Sequence, residues 1–407
     1  MSRNSDVVVI GGGPAGSFAA LKLAQMNVDV TLYEEHGDIG IPSHCAGHLS
    51  IGGLNRLGMF PLPEEIVENT FSRATFYSPN CKQFSVRLER PATCAVNRAL
   101  FDQYISRLAQ DAGANVCLNS RVKSLTFDNN IVNGVMVKHN NQTVKTRARM
   151  VIDGEGISSR LLREVGLQGL NRQMLVNGIE AEVENTKNID LDSVELYFGS
   201  EYAPGFYAWL IPKKDGKAKV GLAAKTGNPK TFFEKLMTRH PVASAKLQNS
   251  RVVRTVLHPI TLGGPAPKSF SNGFLAVGDA ASQVKSTTGG GVIFGMTCAA
   301  IAAQVTSEAI ERDDFSSEFL STYQKRCGEA LGFDVRTMIR MRKTLDAMSD
   351  EKLDRLTDMC ARLGLEKTLR SVNDIDLQGR ALLHVLRSPR MLTALGYFLL
   401  TYLIGNP

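Results

Sequence analysis

The apolar run Val7-Val8-Val9-Ile10 ends in glycines at positions 11, 13 and 16 and passes at once into helical spacing, with Phe18, Ala19, Leu21, Leu23 and Ala24. A second short run, Val28-Asp29-Val30-Thr31-Leu32-Tyr33, closes on an acid, Glu34. Strand, tight turn, helix, strand and acid in about thirty residues predict a dinucleotide-binding unit. Gly11 makes the turn, Gly13 lets the backbone approach a pyrophosphate, and Gly16 lets helix and strand pack closely. The helix that opens around Ala15 offers unpaired N–H groups and a positive dipole end to phosphates. Glu34 is placed to accept from ribose hydroxyls.

Two further apolar strands end in a glycine–acid turn: Met150-Val151-Ile152-Asp153-Gly154 and Phe274-Leu275-Ala276-Val277-Gly278-Asp279. Between the first unit and the second turn lie a glycine-rich loop at 36–60, an alternating pair of strands at 71–77 and 83–88, a helix from Asn97 to about 112, and short strands at 115–118, 121–127, 132–139 and 142–148. Asn129-Asn130 and Asn140-Asn141 mark hairpin turns. A helix is expected at 158–165. Residues 175–225 alternate in polarity and predict an antiparallel sheet, followed by a short helix at 232–237. After Thr288-Gly289-Gly290-Gly291 comes a long apolar helix at 292–310, and from 315 onward the pattern is helical, punctuated by Gly332, Gly364 and Gly379. The expected fold is α/β (α+β). Segments 1–70, 93–165 and 260–325 form a Rossmann-like domain, 71–92 and 166–259 an inserted antiparallel-sheet substrate domain, and 326–407 a helical C-terminal region.

Cysteine usage narrows the setting. Seven cysteines with no Cys-x-x-Cys pair argue against a disulfide framework and against a zinc site, and fit a reducing, cytoplasmic compartment. Residues 2–6 are polar and 7–10 are too few for the apolar core of a secretion signal. The net charge of +7 is not gathered into any block that suggests nucleic acid. A mild basic excess precedes the apolar tail 391–404, just after Arg387 and Arg390. That stretch is shorter than the roughly 20 residues of a spanning helix. Core packing and closure of a lipid tunnel are its first readings, and lying at a membrane interface is the third.

Taken together, the three turns resemble the FAD-binding domain of the p-hydroxybenzoate hydroxylase-like superfamily, over 5–40, 97–165 and 270–310. The resemblance implies FAD as cofactor, with Asp279 at its ribityl and pyrophosphate part and Arg98 beside the flavin. It also places Val122, Asp153, Gly154, Gly291 and Val292 among the contacts. Read from the residues alone, Asp279 is equally an N-cap and Arg98 a surface ion-pair residue. Gly290 and Gly291, at a helix start, expose N–H groups that would stabilise negative charge on the N1/O2 edge of reduced flavin; the alternative is a plain flexible loop.

Two other stretches narrow the resemblance. Pro42-Ser43-His44-Cys45-Ala46-Gly47 is similar to the Cys-x-Gly loop of geranylgeranyl reductases. Tyr207-Ala208-Trp209-Leu210-Ile211-Pro212 is similar to their Tyr-x-Trp-x-Phe-Pro motif, with Ile211 where the motif has Phe. Archaeal members of that family reduce the isoprenoid chains of membrane ether lipids, and plant and bacterial members the tail precursor of chlorophyll. The implied activity is saturation of C=C bonds by hydride from reduced flavin. The substrate would be a geranylgeranylated lipid or a prenyl diphosphate, and the electron donor NAD(P)H or a ferredoxin-like protein. Cys45, Ala46 and Gly47 would lie near the flavin, and a peripheral membrane contact would fit such a substrate. An isoprenoid needs an apolar tunnel with aromatic walls. Alternation puts Tyr207, Trp209 and Ile211 on one face, bounded by Pro212, as such a wall or as ordinary sheet core. Cys45 itself is a packing residue, a redox partner or the group that positions or protonates the alkene. A flavin monooxygenase and a non-catalytic FAD-holding lipid carrier are the alternative functions.

Overall fold

The computed structural model describes residues 4–403 apart from 141, 371, 373 and 387. Arg387, Asn141 and Ile404, which enter the sequence reading, lie outside the described residues. The chain divides into two compact units: Met1–Ser43, Arg98–Met174 and Thr261–Phe333 form the first, and His44–Asn97, Leu175–Ile260 and Asp334–Pro407 the second.

The first unit is built on a sheet in the order Phe270–Ser271, Phe274–Ala276, Gln142–Asp153, Ser5–Ile10, Val30–Tyr33, Asn115–Cys117, parallel from the second strand on. Val7, Val8 and Val9 are all fully buried, as a strand covered on both faces must be. The helices Pro14–Gln25, Arg98–Asp111 and Val292–Arg312 supply cover. Val292–Arg312 is the one described helix long and apolar enough to cross a bilayer, but most of it is buried in this unit.

The strands expected separately at 142–148 and 150–152 are a single strand, Gln142–Asp153. Its first half pairs antiparallel with Ile131–His139 and its second half parallel with Ser5–Ile10 and Phe274–Ala276. Burial changes along it from alternating to continuous, and no glycine or proline interrupts it. One strand thus serves two sheets. Asn129, Asn130 and Asn140 have positive φ, as turn residues at hairpin ends do. The helix expected at 158–165 is a 3₁₀ turn, Gly156–Ser158, and one α-turn, Leu161–Glu164, separated by Ser159 at φ 43°.

The second unit is organised on a seven-stranded sheet: Arg251–Thr261, Leu175–Glu184, Ala218–Ala224, Ala208–Pro212, Ser193–Tyr197, Arg73–Tyr77, Gln83–Arg87. The central neighbours are antiparallel, and Ser193–Tyr197 runs parallel to Arg73–Tyr77. Helices Pro229–Arg239 and Ala243–Leu247 close one face through Phe233, Leu236 and Leu247 on Tyr197, Val220 and Leu222.

Two parts of the chain fall outside the expected domain plan. Residues 44–70, assigned to the dinucleotide domain from sequence, and 93–97 belong to the second unit. They make a three-stranded sheet, His48–Ser50, Thr93–Val96 and Val67–Phe71, which packs Phe71 and Ala95 against Val194 and Ile211. The tail, set apart at 326–407, divides: from Asp334 it also joins the second unit. Helices Asp350–Arg362 and Leu365–Leu369 lie against strand Gln83–Arg87, where Phe84 packs with Leu365 and Met391. Asp354 accepts from the Asn80 backbone N–H at 2.9 Å and from its amide at 2.6 Å. Gly332 lies inside the helix Ser317–Asp346 and Gly379 inside Gln378–Val385, so only Gly364, at φ 61°, punctuates as expected.

Candidate active site

The first turn is built by contacts that leave no room for side chains. Gly11 has φ 88°, and a Cβ there would lie 2.4 Å from the Gly154 carbonyl oxygen; one on Gly16 would lie 2.0 Å from the Gly11 oxygen. A Cβ on Gly154 would come within 3.0 Å of the Ile10 oxygen and 3.3 Å of the Gly16 Cα. Gly154 is therefore a packing partner of the first turn. Gly13 is different: a Cβ there would meet nothing within 4 Å. It is the open position, just before the helix N-terminus at Pro14–Ala15. Glu34 closes the turn from the next strand. One oxygen accepts from Gly12 N–H at 2.7 Å, and the other accepts from His36 N–H and meets His36 Nδ1 at 2.6 Å.

The third turn packs on the first. Gly278, at φ 64°, faces Ala15, and a Cβ there would lie 2.9 Å from the Ala15 methyl. Gly295, one helical turn into Val292–Arg312, has room only for hydrogen, with the Gly278 Cα 3.0 Å from its would-be Cβ. A brace fixes this turn: Gly278 N–H donates to Gln283 Oε1 at 2.8 Å, Gln283 Nε2 donates to the Tyr323 hydroxyl at 2.7 Å, and Tyr323 donates to the Ala276 carbonyl at 2.8 Å. Asp279 then lies against Gly291, whose Cβ would sit 2.7 Å from Oδ1. Gly291 is the N-cap of Val292–Arg312, so the carboxylate and the helix start face the same point. Burial pushes the Asp279 carboxyl above its ordinary range, opposed by the charge of Arg98. Arg98 is itself buried and forks onto Asp102, with three contacts between 3.0 and 3.2 Å. Gly290 lies beneath Lys285, whose Cε would be 2.8 Å from a Cβ there.

These residues fit a dinucleotide of FAD type. The open Gly13 beside a helix N-terminus is a cradle that a Cβ would fill. Asp153 is fully buried, with Oδ1 accepting from Glu155 N–H at 3.0 Å and Oδ2 lacking a hydrogen-bond partner among the described residues. Burial, then the neighbouring Glu155, drives its carboxyl well above the usual carboxylate range. An acid held so calls for a hydrogen-bond partner such as a hydroxyl or water. Val122 differs from the other expected contacts. Its side chain is in the core of the first unit, and its carbonyl accepts from Arg160 at 3.1 Å.

In the second unit, the sheet face away from the helices carries the residues expected at a substrate. Trp209 and Ile211 lie on it, whereas Ala208 and Leu210 point to the closed face. The Trp209 ring spreads over Gly221, where a Cβ would be 2.5 Å from the ring. Its Nε1 is buried with no acceptor among the described residues. Tyr207 precedes the strand and meets Trp209 edge-on at 6.1 Å, with Phe206 stacked behind it at 4.2 Å. Burial raises the Tyr207 hydroxyl above its ordinary range. Pro212 ends the strand.

The Cys45 loop is tied to the same face. Ala46 packs on the cluster of Phe71, Ala95, Val194 and Ile211, and His44 stacks on His258 at 5.1 Å. Gly47 N–H points at Cys45 Sγ, 3.5 Å away, and the Gly47 carbonyl accepts from Val96 N–H at 2.8 Å. The Val96 carbonyl in turn accepts from Lys219 Nζ at 2.8 Å. Lys219 also pairs with Glu68 at 2.7 Å, and Lys213 reaches the other Glu68 oxygen at 2.7 Å. Burial alone would raise the Glu68 carboxyl, but Lys219 and Lys213 outweigh it and hold the pKa below its ordinary value.

Sequence reasoning missed Gly295, Gln283, Tyr323, Lys219 and Glu68. Gly295 left a trace, a glycine four residues after Gly291 inside an apolar helix. The lysine–glutamate anchor left none, because its partners are distant in sequence, and the brace depends on Tyr323, 40 residues beyond Gln283.

Comparisons with known proteins agree with this geometry. A family described as FAD dependent oxidoreductase matches residues 6–159, and one described as geranylgeranyl reductase catalytic domain matches residues 176–257. A protein named digeranylgeranylglycerophospholipid reductase 2, from Methanopyrus kandleri, is 33% identical over 95% of this chain and 97% of its own. The crystal structure of a geranylgeranyl bacteriochlorophyll reductase-like protein from Thermoplasma acidophilum superposes with a TM-score of 0.87 at 27% identity, covering 97% of this chain and 99% of that one. A flavin-dependent brominase, Bmp2, shares the fold with a TM-score of 0.73 at 16% identity, covering 93% and 94% of the two chains.

Proposed function

The chain belongs to the geranylgeranyl reductase family, and on that premise we propose that it is an FAD-dependent reductase saturating the C=C bonds of geranylgeranyl chains on archaeal membrane ether lipids. The observation that carries this reading is identity of about one third, along nearly the whole of both chains, to a protein named for that reaction. The glycine turns fitted to a dinucleotide support it.

FAD supplies the hydride when bound. Gly11, Gly13, Ala15 and Gly16 would lie along its phosphates, Glu34 at a ribose, and Asp153 and Asp279 at hydroxyl groups. Gly290 and Gly291 would present a helix start to developing negative charge. An unactivated alkene has no carbonyl to polarise, so the remaining residues work by positioning and by excluding water. Tyr207, Trp209, Ile211 and Pro212 are proposed as one wall of the isoprenoid site. Cys45 is proposed to hold a proton at Sγ for the alkene carbon opposite the one receiving hydride, with the Gly47 N–H steadying the sulfur. The external donor is NAD(P)H or a ferredoxin-like protein, and the enzyme works at the cytoplasmic face of the membrane holding its lipid.

The test is anaerobic. Purified holoenzyme is reduced and mixed with a digeranylgeranylglycerol phospholipid. Reoxidation of the flavin with a gain of two hydrogens per double bond supports the reading. A hydroxylated product formed only with oxygen would replace it by a monooxygenase. A flavin that never cycles with dithionite, NAD(P)H or ferredoxin would leave a lipid carrier.

A further inference from the structure

The helices Gln378–Val385 and Pro389–Leu403 meet the rest of their unit by one side each. Val385, Met391 and Ala394 are buried in the cluster built on Leu365, and Leu382 and Leu386 are partly covered there. The other side is apolar and uncovered. Among the described residues, the three most exposed large apolar side chains are Leu400, Leu383 and Leu392, at 55, 54 and 54%. Leu392, Gly396 and Leu400 recur at the four-residue step and share one face of their helix. That helix carries no charged residue after Arg390. A surface helix in water turns a polar or charged face outward; this one turns leucine. Core packing therefore accounts for only one side of the tail. Its charge is one-signed as well. From Leu377 to Pro407 the sequence has three arginines, Arg380, Arg387 and Arg390, and no aspartate or glutamate. Arg380, Leu383 and His384 are all exposed, and their spacing puts them on one face. Arg380 reaches Asp334 through Nε at 3.4 Å and its side chain stays 50% exposed. Arg390 is exposed at the start of the last helix.

We propose that the outer sides of these two helices are a docking surface for a bilayer containing anionic glycerophospholipid. Leu383, Leu392 and Leu400 enter the boundary of the hydrocarbon, while Arg380 and Arg390 stay at the level of the phosphates. With 15 residues, Pro389–Leu403 is about 22 Å long, short of the roughly 30 Å hydrocarbon core, so it lies along the surface rather than across it. Charge decides between the possible occupants. A second copy of this chain would bring arginine against arginine in a stretch that has no acid to answer it. A phospholipid surface carries the opposite charge over its whole area and offers an apolar layer beneath it. This deepens the reductase reading and rests on it for the reason to dock, since the substrate there is a lipid held in such a surface. The docking itself needs no turnover.

Cosedimentation of the holoenzyme with vesicles reads the docking directly. One set of vesicles is phosphatidylglycerol and phosphatidylcholine in equal parts, the other phosphatidylcholine alone. The wild type should bind the mixed vesicles more tightly than the neutral ones, and less tightly as salt is raised. Leu383→Gln, Leu392→Gln and Leu400→Gln together should lower the partition coefficient by about 100-fold. Arg390→Gln should lower it about fivefold on mixed vesicles and leave it unchanged on neutral ones. Leu191→Gln removes a leucine that is 50% exposed elsewhere in the same unit and should change nothing. The triple variant should reduce a prenyl lipid dispersed in detergent at the wild-type rate. A wild type that does not sediment with mixed vesicles, or that binds both sets equally, overturns the inference, as does a triple variant that binds like wild type. Two outcomes would assign the face elsewhere and also overturn it. One is a dimer by light scattering that the triple substitution splits, with no vesicle binding. The other is wild-type vesicle binding with lost turnover in detergent, the mark of a tunnel closure. If the triple variant does not fold, Leu392→Gln alone decides: a several-fold loss of binding supports docking and wild-type binding overturns it. A wild type that docks but reduces no prenyl lipid defeats the functional reading alone.

Discussion

The two units present surfaces of opposite kinds. In the first, backbone meets backbone at Gly11, Gly16, Gly154, Gly278 and Gly295, positions where a methyl group would collide, and this packing frames the one open glycine, Gly13. In the second, the sheet face away from the helices is made of large side chains, Trp209, Ile211 and Leu196, covered in part by Phe71 of the three-stranded sheet, with a single glycine giving the indole its place. A cofactor with phosphates is served by N–H groups and helix ends, which every sequence has and only glycine exposes. An isoprenoid has no polar groups along its length and can be recognised only by side-chain shape. The first surface tolerates almost no variation. The second can be retuned residue by residue.

Substitutions can break that contrast. The largest effect is expected from Gly16→Val. Its Cβ would start 2.0 Å from the Gly11 oxygen, against backbone that cannot move without opening the first strand. A loss of several kcal/mol is expected, seen as insoluble or flavin-free protein. Gly13→Ala separates cofactor contact from packing. The Gly13 φ of −68° suits alanine and no atom is near, so the protein should melt as wild type yet hold FAD about 30-fold more weakly, near 2 kcal/mol, by flavin titration. A Gly13→Ala protein with wild-type flavin affinity would show that the pyrophosphate does not pass there.

The closed face of the second sheet gives a comparable effect through pH. His240 is fully buried, its Nδ1 accepting from Val242 and Ala243 N–H at 3.2 and 3.1 Å, and burial lowers its pKa from 6.5 to about 4. The unfolded chain binds this proton below pH 6.5 and the folded chain only below about pH 4. Stability is therefore complete above pH 6.5 and falls as the pH drops toward 4, by up to about 3 kcal/mol. Denaturant melts across that window should show the slope, and His240→Gln should flatten it. A smaller effect is expected on the open face. Trp209→Phe should leave flavin content unchanged and raise KM for the prenyl lipid several-fold, about 1 kcal/mol. An equal loss of flavin would mean that Trp209 serves the cofactor instead.

Legibility in the sequence followed the range of the interaction. The dinucleotide unit, the three strand-end acids and the alternation of 208–212 all rest on contacts within a few residues, so spacing displayed them. The strand Gln142–Asp153 was half legible, because its two patterns of burial look like two strands until both partners are known. The assignment of 44–70 and of the helical tail was not legible. It depends on Lys219 reaching Val96 and Glu68, and on Asp354 reaching Asn80, across more than a hundred residues.

The amino-acid order by itself determined where the backbone can approach phosphate, since only glycine at fixed spacing after an apolar strand permits it, and it determined which residues share a face of a strand. Tertiary structure alone decided which elements those faces meet. It stacked His44 on His258, opposed Glu180 to Gly221 under the indole, and braced the Gly278 turn through Gln283 and Tyr323. The physical reason is that local geometry is dictated by sterics of neighbouring residues, whereas pairing between distant segments is chosen by the burial and hydrogen bonding of the whole fold.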